Sequence, residues 1–203
     1  MNTDFSIMKK EYIDKILKYF PLPFDEEYLD RILKLVLVKE VPAKTILLFE
    51  GDIATKLFLV LDGCLRTYFI KENGVEITSH FFVEGQMVTS FESAMTGLPS
   101  RRYIDAVEDS ILGIIPLKSI ENLMRENSHA RDYFNRILIS RLIYYIHQHA
   151  SFILDNPEKR YKKLLQENPE LVSRLPQQYI ASYLGITPVS LSRIRSRLKK
   201  LTN

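Results

Sequence analysis

The chain has 203 residues, of which 46% are hydrophobic, enough for a buried core in one large domain or two modest ones. Its single cysteine, Cys64, excludes within one chain a disulfide framework, a Cys-ligated iron–sulfur cluster and a thiolate zinc site. The net charge of +3 is unevenly divided: residues 171–203 carry six basic residues and no acid, and residues 1–170 carry 22 basic against all 25 acidic. The end of the chain is therefore a cationic surface of the kind that attracts phosphate.

The opening Met1, Asn2, Thr3, Asp4 lacks the charged-then-apolar pattern of a signal peptide, and no run is long enough to cross a bilayer. The expectation is a cytoplasmic protein with no membrane partner. Residues 8–20 have the spacing of an amphipathic helix, with Ile13, Ile16, Leu17 and Phe20 on one face and Pro21 and Pro23 to stop it. Asp25 can cap a second short helix through about Leu33, which leads into an expected strand at 35–38.

The period then changes. Glycines fall at 51, 63, 74 and 85, and between them lie β-branched and aromatic runs at 45–49, 56–61, 65–70 and 76–82. Asp62-Gly63 and Asn73-Gly74 are tight-turn dipeptides. A later strand is expected at 110–116, where Ile111, Leu112, Ile114 and Ile115 form an apolar run. Short strands at even spacing predict an antiparallel β-roll or jelly roll.

From about Lys118 the helical period returns. Ser119 can cap a short helix to roughly Glu126, and Ser128 a longer one. Within 130–154, the residues Phe134, Ile137, Leu138, Arg141, Leu142, Tyr145, Ile146, His149, Phe152 and Ile153 form a near-heptad stripe without proline or glycine. Rising ~1.5 Å per residue, such a helix outruns a small β-domain. Its stripe can pack on the roll, on a twin of itself, or on both, and coiled-coil dimerisation is the favoured reading. Asn156 and Pro157 end it, and a linking helix over 157–167 precedes Asn168 and Pro169.

The last segment reads as two short helices broken by a tight turn. Ile180 and Leu184 share one face, Ala181 is small where a second helix crosses, and Gly185 can take the positive φ that ends a helix. Thr187 is a good N-cap, and Pro188 falls at the first helical position. Leu191, Ile194 and Leu198 form a buried stripe, while Ser190, Arg193 and Arg197 occupy the opposite face with Arg195 and Ser196 towards the flanks. This is the pattern of a helix-turn-helix with a basic exposed face. An ordinary αα-hairpin has the same spacing, but the purely basic context favours nucleic acid. The expected organisation is a β-roll domain with N-terminal helices (1–127), a dimerisation helix (128–155) and a DNA-binding helix-turn-helix (156–203).

At this point the chain resembles the cyclic AMP receptor protein / fumarate–nitrate reduction regulator (Crp/Fnr) family of bacterial transcription factors, over nearly its whole length. Three blocks carry the resemblance. The first is Leu48, Phe49, Glu50, Gly51, Asp52 with Leu57 through Gly63; the second is Asn73, Gly74, Val75, Glu76 with Glu84, Gly85, Gln86; the third is Ile180, Ala181 with Leu191, Ser192, Arg193. The resemblance implies an α+β fold: an N-terminal cyclic-nucleotide-binding-like β-roll (a double-stranded β-helix or jelly roll), a long dimerisation helix and a C-terminal helix-turn-helix. It further implies a homodimer on a near-palindromic double-stranded operator, with RNA polymerase as a further partner. Because the chain stops at Leu201, Thr202 and Asn203, a C-terminal wing is expected to be lacking.

The departures bear on mechanism. Cyclic-nucleotide binders of this fold place a glutamate after the turn, where this chain has Gln86, and an Arg–Ser or Arg–Ala pair further on, where it has Ser100 and Arg101. The segment after Gly85 is also about four residues longer. A cyclic nucleotide is thus one candidate effector whose key motif residues are altered, another small effector, or none, is favoured over it, and no cofactor is assigned. The candidate effector residues are Gln86, Met87, Ser100, Arg101, Arg102, Tyr144, Tyr145 and Gln148. At the start of the reading helix, where well-known members have Arg–Glu, this chain has Pro188 and Val189. The candidate DNA-binding residues are Gln177, Gln178, Thr187, Pro188, Val189, Ser190, Ser192, Arg193, Ser196 and Arg197. Among them Arg193 is expected to read a guanine and Val189 a thymine methyl.

No metal site is expected. His147 and His149 are two apart and point in different directions on a helix, His80 and His129 are isolated, and Cys64 reads as a small buried residue. A cupin-like enzyme needs several ligands on facing strands, and His80 is the sole histidine of the β region. The chain is therefore not expected to be an enzyme. A ligand-sensing interaction protein without DNA contact is the remaining alternative, and the acid-free tail suits phosphate better.

Overall fold

The computed structural model describes residues 10–19 and 26–202. Helix α1 (Lys10–Tyr19) turns Tyr12 and Ile16 inward. Phe20, Pro21, Pro23 and Asp25, expected to end one helix and cap the next, lie outside the described residues. Helix α2 (Glu26–Leu35) is followed by strand β1 (Leu37–Val41), which corrects the strand expected at 35–38. Ile32 and Val36, four apart, both enter the core, so the helical period persists to the end of α2. A bond from Val36 N to Leu33 O, 3.2 Å, closes the last turn before the chain extends.

The roll continues through β2 (Ile46–Leu48), β3 (Lys56–Asp62), β4 (Leu65–Ile70), β5 (Glu76–Phe82), β6 (Met87–Val88), α3 (Phe91–Thr96), β7 (Tyr103–Ala106) and β8 (Ser110–Pro116). The strands form two four-stranded sheets, ordered β1-β8-β3-β6 and β2-β7-β4-β5. Pairing of β3 with β8 sets Phe58 opposite Ile114 and Leu59 opposite Gly113. Because side chains alternate, β3 serves two cores. Phe58 and Val60 join Leu65, Phe82, Ile104 and Leu112 inside the roll. Leu57, Leu59 and Leu61 face outward under a helical layer with Ile16, Ile32, Leu123 and Phe134. This explains why β3 reads as a continuous apolar run rather than an alternating one. Gly113 lies where Val36 presses closest, since a Cβ there would meet Val36 Cγ1 at 2.9 Å.

Three elements of the roll are not foreseen from the sequence. Strand β6 has two residues and α3 six, too few to display a period. Strand β7 shows no alternation in sequence because Ile104, Asp105 and Ala106 are buried in succession, and the one between the two core residues is charged. Asp105 receives a bidentate grip from Arg66 of β4, Nε to Oδ1 2.9 Å and Nη2 to Oδ2 3.0 Å, with the arginine 1% exposed.

Helix α4 (Leu117–Glu126) begins two residues before the expected cap: Pro116, not Ser119, is the N-cap. The strand runs directly into it, and Leu117 N is already taken by Thr55 O at 2.9 Å, so a tertiary bond sets the start. Helix α5 (Ser128–Leu154) is capped by Asn127, whose Oδ1 accepts from Ala130 N at 3.0 Å, rather than by Ser128. Then follow α6 (Pro157–Glu167), α7 (Pro169–Arg174), α8 (Gln177–Tyr183) and α9 (Pro188–Thr202). Helix α7 is the unforeseen one, a six-residue turn begun by Pro169. The architecture is the expected mixed α+β one, a β-roll followed by a long helix and C-terminal helices.

The chain packs as two compact units. The first comprises the described residues up to Thr67 with Phe81–Ile137 and holds both cores above. The second comprises Tyr68–His80, the tip of the β4–β5 hairpin, with 138–202.

Candidate functional site

In the second unit, Leu171, Val172, Leu175, Ile180, Ala181, Leu184, Leu191 and Ile194 are each buried. Helix α8 ends in a Schellman turn: Ile186 N donates to Ala181 O at 2.9 Å and Gly185 N to Ser182 O at 3.0 Å, with Gly185 at φ +69°. Thr187 caps α9, its Oγ1 accepting from Ser190 N at 3.2 Å and lying 3.0 Å from Ser190 Oγ. The two helices thus form the helix-turn-helix that their spacing predicts.

The face left to solvent collects the candidate DNA-binding residues. Gln177 and Gln178 are exposed at the start of α8, and Thr187, Pro188, Val189, Ser192, Arg193, Ser196 and Arg197 are exposed at the turn and along α9. Ser190 is half-buried by its cap. Val189 is an apolar residue left 60% exposed. Among the described residues, Arg193 forms no ion pair, whereas Arg197 Nη2 lies 2.9 Å from Glu158 Oε2. Arg195 turns off this face, donating from Nε to the Tyr161 hydroxyl at 2.9 Å.

The candidate effector residues divide between the units. In the first, Gln86 Oε1 accepts from Val83 N at 3.3 Å, closing its own turn. Met87 pairs with Leu59 and packs into the helix-covered core. Ser100 is buried, its Oγ 2.9 Å from Ser90 Oγ and donating to Arg102 O at 2.8 Å. Arg101 is exposed and Arg102 half-buried. Ser90, also buried, is a partner of Ser100 that sequence reasoning missed; it follows β6, itself too short to be seen. Its neighbour Thr89 lines a cavity of about 220 Å³ with Leu48, Asp52, Thr55, Lys56 and Phe58. The Thr89 Oγ1 is buried and has no hydrogen-bond partner among the described residues.

In the second unit, Tyr144, Tyr145 and Gln148 meet partners that the sequence did not disclose. Tyr144 and Tyr183 hydroxyls are 2.9 Å apart, and Gln148 Nε2 donates to the Tyr183 hydroxyl at 2.7 Å. Burial raises the pKa of both phenols, so they stay neutral. His80 packs edge-on against Tyr144, ring centroids 4.7 Å apart, and against Tyr145. Arg141 Nη1 lies 3.1 Å from His80 Nε2. A guanidinium only donates, so Nε2 is the acceptor and the neutral ring carries its proton on Nδ1. Burial, with the Arg141 charge second, pulls the His80 pKa from 6.5 down to about 3. Ser182 of α8 clasps the edge of β5, accepting from Thr78 N at 2.9 Å and donating to Glu76 O at 2.8 Å. No local pattern announces these contacts, because their partners are 35 to 106 residues apart.

Among the described residues no group of histidines, cysteines and carboxylates is placed to hold a metal ion, and no helix is long and apolar enough to cross a membrane. Residues 38–127 match the sequence model of the cyclic nucleotide-binding domain. The chain is 24% identical over 193 residues to an anaerobic regulatory protein of Haemophilus influenzae, covering 89% of this chain and 74% of that one. It is 25% identical over 194 residues to a fumarate nitrate reduction regulatory protein of Klebsiella oxytoca, covering 89% and 76%. A crystal structure of a transcriptional regulator of the Crp/Fnr family from Eubacterium rectale superposes with TM-score 0.72 at 23% identity, over 90% of this chain and 88% of that one.

Proposed function

The chain belongs to the Crp/Fnr family of regulators, and on that premise we propose that it is a DNA-binding transcription regulator that reads a specific sequence as a homodimer. The observation that carries this reading is the pair Arg193 and Val189, exposed on α9 beside a capped turn. Arg193 is placed to reach guanine O6 and N7 in the major groove, and Val189 to meet a thymine methyl. Ser190 and Arg197 hold phosphates, Gln177, Gln178 and Thr187 touch the backbone near the helix ends, and Pro188, Ser192 and Ser196 line the same approach. Two such helices related by a two-fold axis suit half-sites about 34 Å apart.

The division of labour follows the chain: residues 1–127 sense, 128–155 dimerise and 156–203 bind DNA. A small effector acts on the roll through residues among Gln86, Met87, Ser100, Arg101, Arg102, Tyr144, Tyr145 and Gln148. The hydrogen bonds already made by Ser100, Tyr144 and Gln148 weigh against the unaltered cyclic-nucleotide mode. RNA polymerase is the further partner such a role requires, and the cytoplasm the compartment. Selection from a random duplex library tests the reading: the wild type enriches a near-palindrome. Arg193→Ala then loses preference at one base pair per half-site, at a cost of about 1–3 kcal/mol. An unchanged preference removes Arg193 from base reading, and failure to enrich any sequence removes specific recognition.

A further inference from the structure

Helix α9 carries arginines at 193, 195 and 197, and α6 meets two of them. Arg195 is withdrawn from the exposed face: besides its bond to the Tyr161 hydroxyl, its guanidinium lies 5.7 Å from that ring's centroid. Arg193 and Arg197 are one turn apart and share a face. Along that face Arg193 has no ion pair among the described residues, but Arg197 already meets an anion, Glu158 Oε2 at 2.9 Å. Glu158 stands in the first turn of α6, just inside the Asn156 cap and Pro157, where the helix N-terminus favours a negative charge. Its other oxygen, Oε1, is 3.0 Å from Lys162 Nζ. Bonding to Lys162, then the charge of Arg197, holds this carboxyl below the usual glutamate range, so it is ionised at neutral pH.

We infer that Glu158 is an internal competitor for the DNA phosphate, occupying Arg197 in the free protein and setting the sequence-independent part of the affinity. The inference rests on the DNA-binding reading above. A carboxylate and a phosphate oxygen are recognised by the same guanidinium geometry. Any duplex that takes Arg197 must therefore first displace Glu158, whatever its sequence. The displaced carboxylate faces the polyanion or gathers a counterion from solution, which offsets part of the counterion release that drives phosphate binding. Arg193 carries no such opposing group, so base reading is left undiminished. Glu158 acts through Arg197 and touches no base; it is a positioning and screening residue.

Titrating the full-length chain into a fluorescent mixed-sequence duplex of about 30 base pairs, across a series of KCl concentrations, reads the effect directly. Relief of a solvent-exposed pair predicts that Glu158→Gln binds roughly two- to fivefold tighter at low salt. The slope of log affinity against log salt steepens by up to about 0.9, the equivalent of one phosphate. Glu158→Asp, which keeps the charge, stays near wild type. In an Arg197→Gln background, Glu158→Gln gives no further gain. An unchanged affinity and slope for Glu158→Gln overturns the inference. So does an equal gain with Arg197→Gln, which assigns the effect to diffuse charge. Absence of binding by the wild type and every variant at the lowest salt overturns the DNA-binding reading itself, a distinct outcome.

Discussion

Burial against Tyr144 and Tyr145 holds His80 neutral, with its pKa lowered from 6.5 to about 3, while Arg141 donates to its Nε2. The unfolded chain takes up the proton near pH 6.5 and the folded one near 3. Stability contributed by the neutral ring is thus complete above pH 6.5 and is lost as pH falls towards 3, at up to about 1.4 kcal/mol per pH unit. His80→Gln keeps an acceptor for Arg141 and removes the titration. Its stability, followed by urea unfolding between pH 7 and 4.5, is expected to decline less steeply than that of the wild type. Equal slopes place the proton uptake elsewhere. The sequence showed an isolated histidine without a metal partner, which is as far as a residue 61 positions from Arg141 can be read. The Arg66–Asp105 pair is a similar case: a charge on a strand argues for exposure until its partner on the neighbouring strand is known.

Local chemistry alone specifies the helix-turn-helix. Gly185, Thr187 and Pro188 each suit one backbone position, and the Schellman turn and cap occur there. Gly185→Ala puts a Cβ at φ +69° and 3.4 Å from Phe152 Cε1. A loss of about 1–2 kcal/mol is expected in thermal or denaturant unfolding, and no loss means that the turn relaxes to another conformation. Other elements were decided by neighbours. The N-caps of α4 and α5 moved to Pro116 and Asn127, because Thr55 O takes Leu117 N and the Asn127 side chain accepts from Ala130 N. Strands β6 and β7 exist because adjoining strands complete their hydrogen bonds, and two or four residues alone carry no period.

At the scale of the molecule, the stripe of α5 separates into two parts. Phe134 and Ile137 pack into the helical core of the first unit. Leu142, Ile146 and Ile153, at 61%, 57% and 68% exposure, are uncovered in the single chain together with Leu138, Ile139 and Ile143. Contiguous apolar surface of this kind favours association, and it supports the proposed homodimer. The double substitution Leu142→Asp, Ile146→Asp is expected to leave a folded monomer by sedimentation and to weaken duplex binding at least tenfold. A dimer that survives both charges moves the interface off this helix.

The sequence by itself determined the order of parts, the roll, the long helix and the turn between α8 and α9, because period, glycine spacing and capping chemistry are local. It also located the exposed arginine stripe, since helical spacing fixes which residues share a face. The tertiary structure alone decided which of those charges is already engaged: Arg197 by Glu158, Arg195 by Tyr161, and Arg193 by none among the described residues. It likewise decided that Ser182 and Tyr183 tie α8 to β5 and α5. Such pairings join residues far apart in the chain, and nothing in a local pattern specifies a partner that only folding brings within hydrogen-bonding distance.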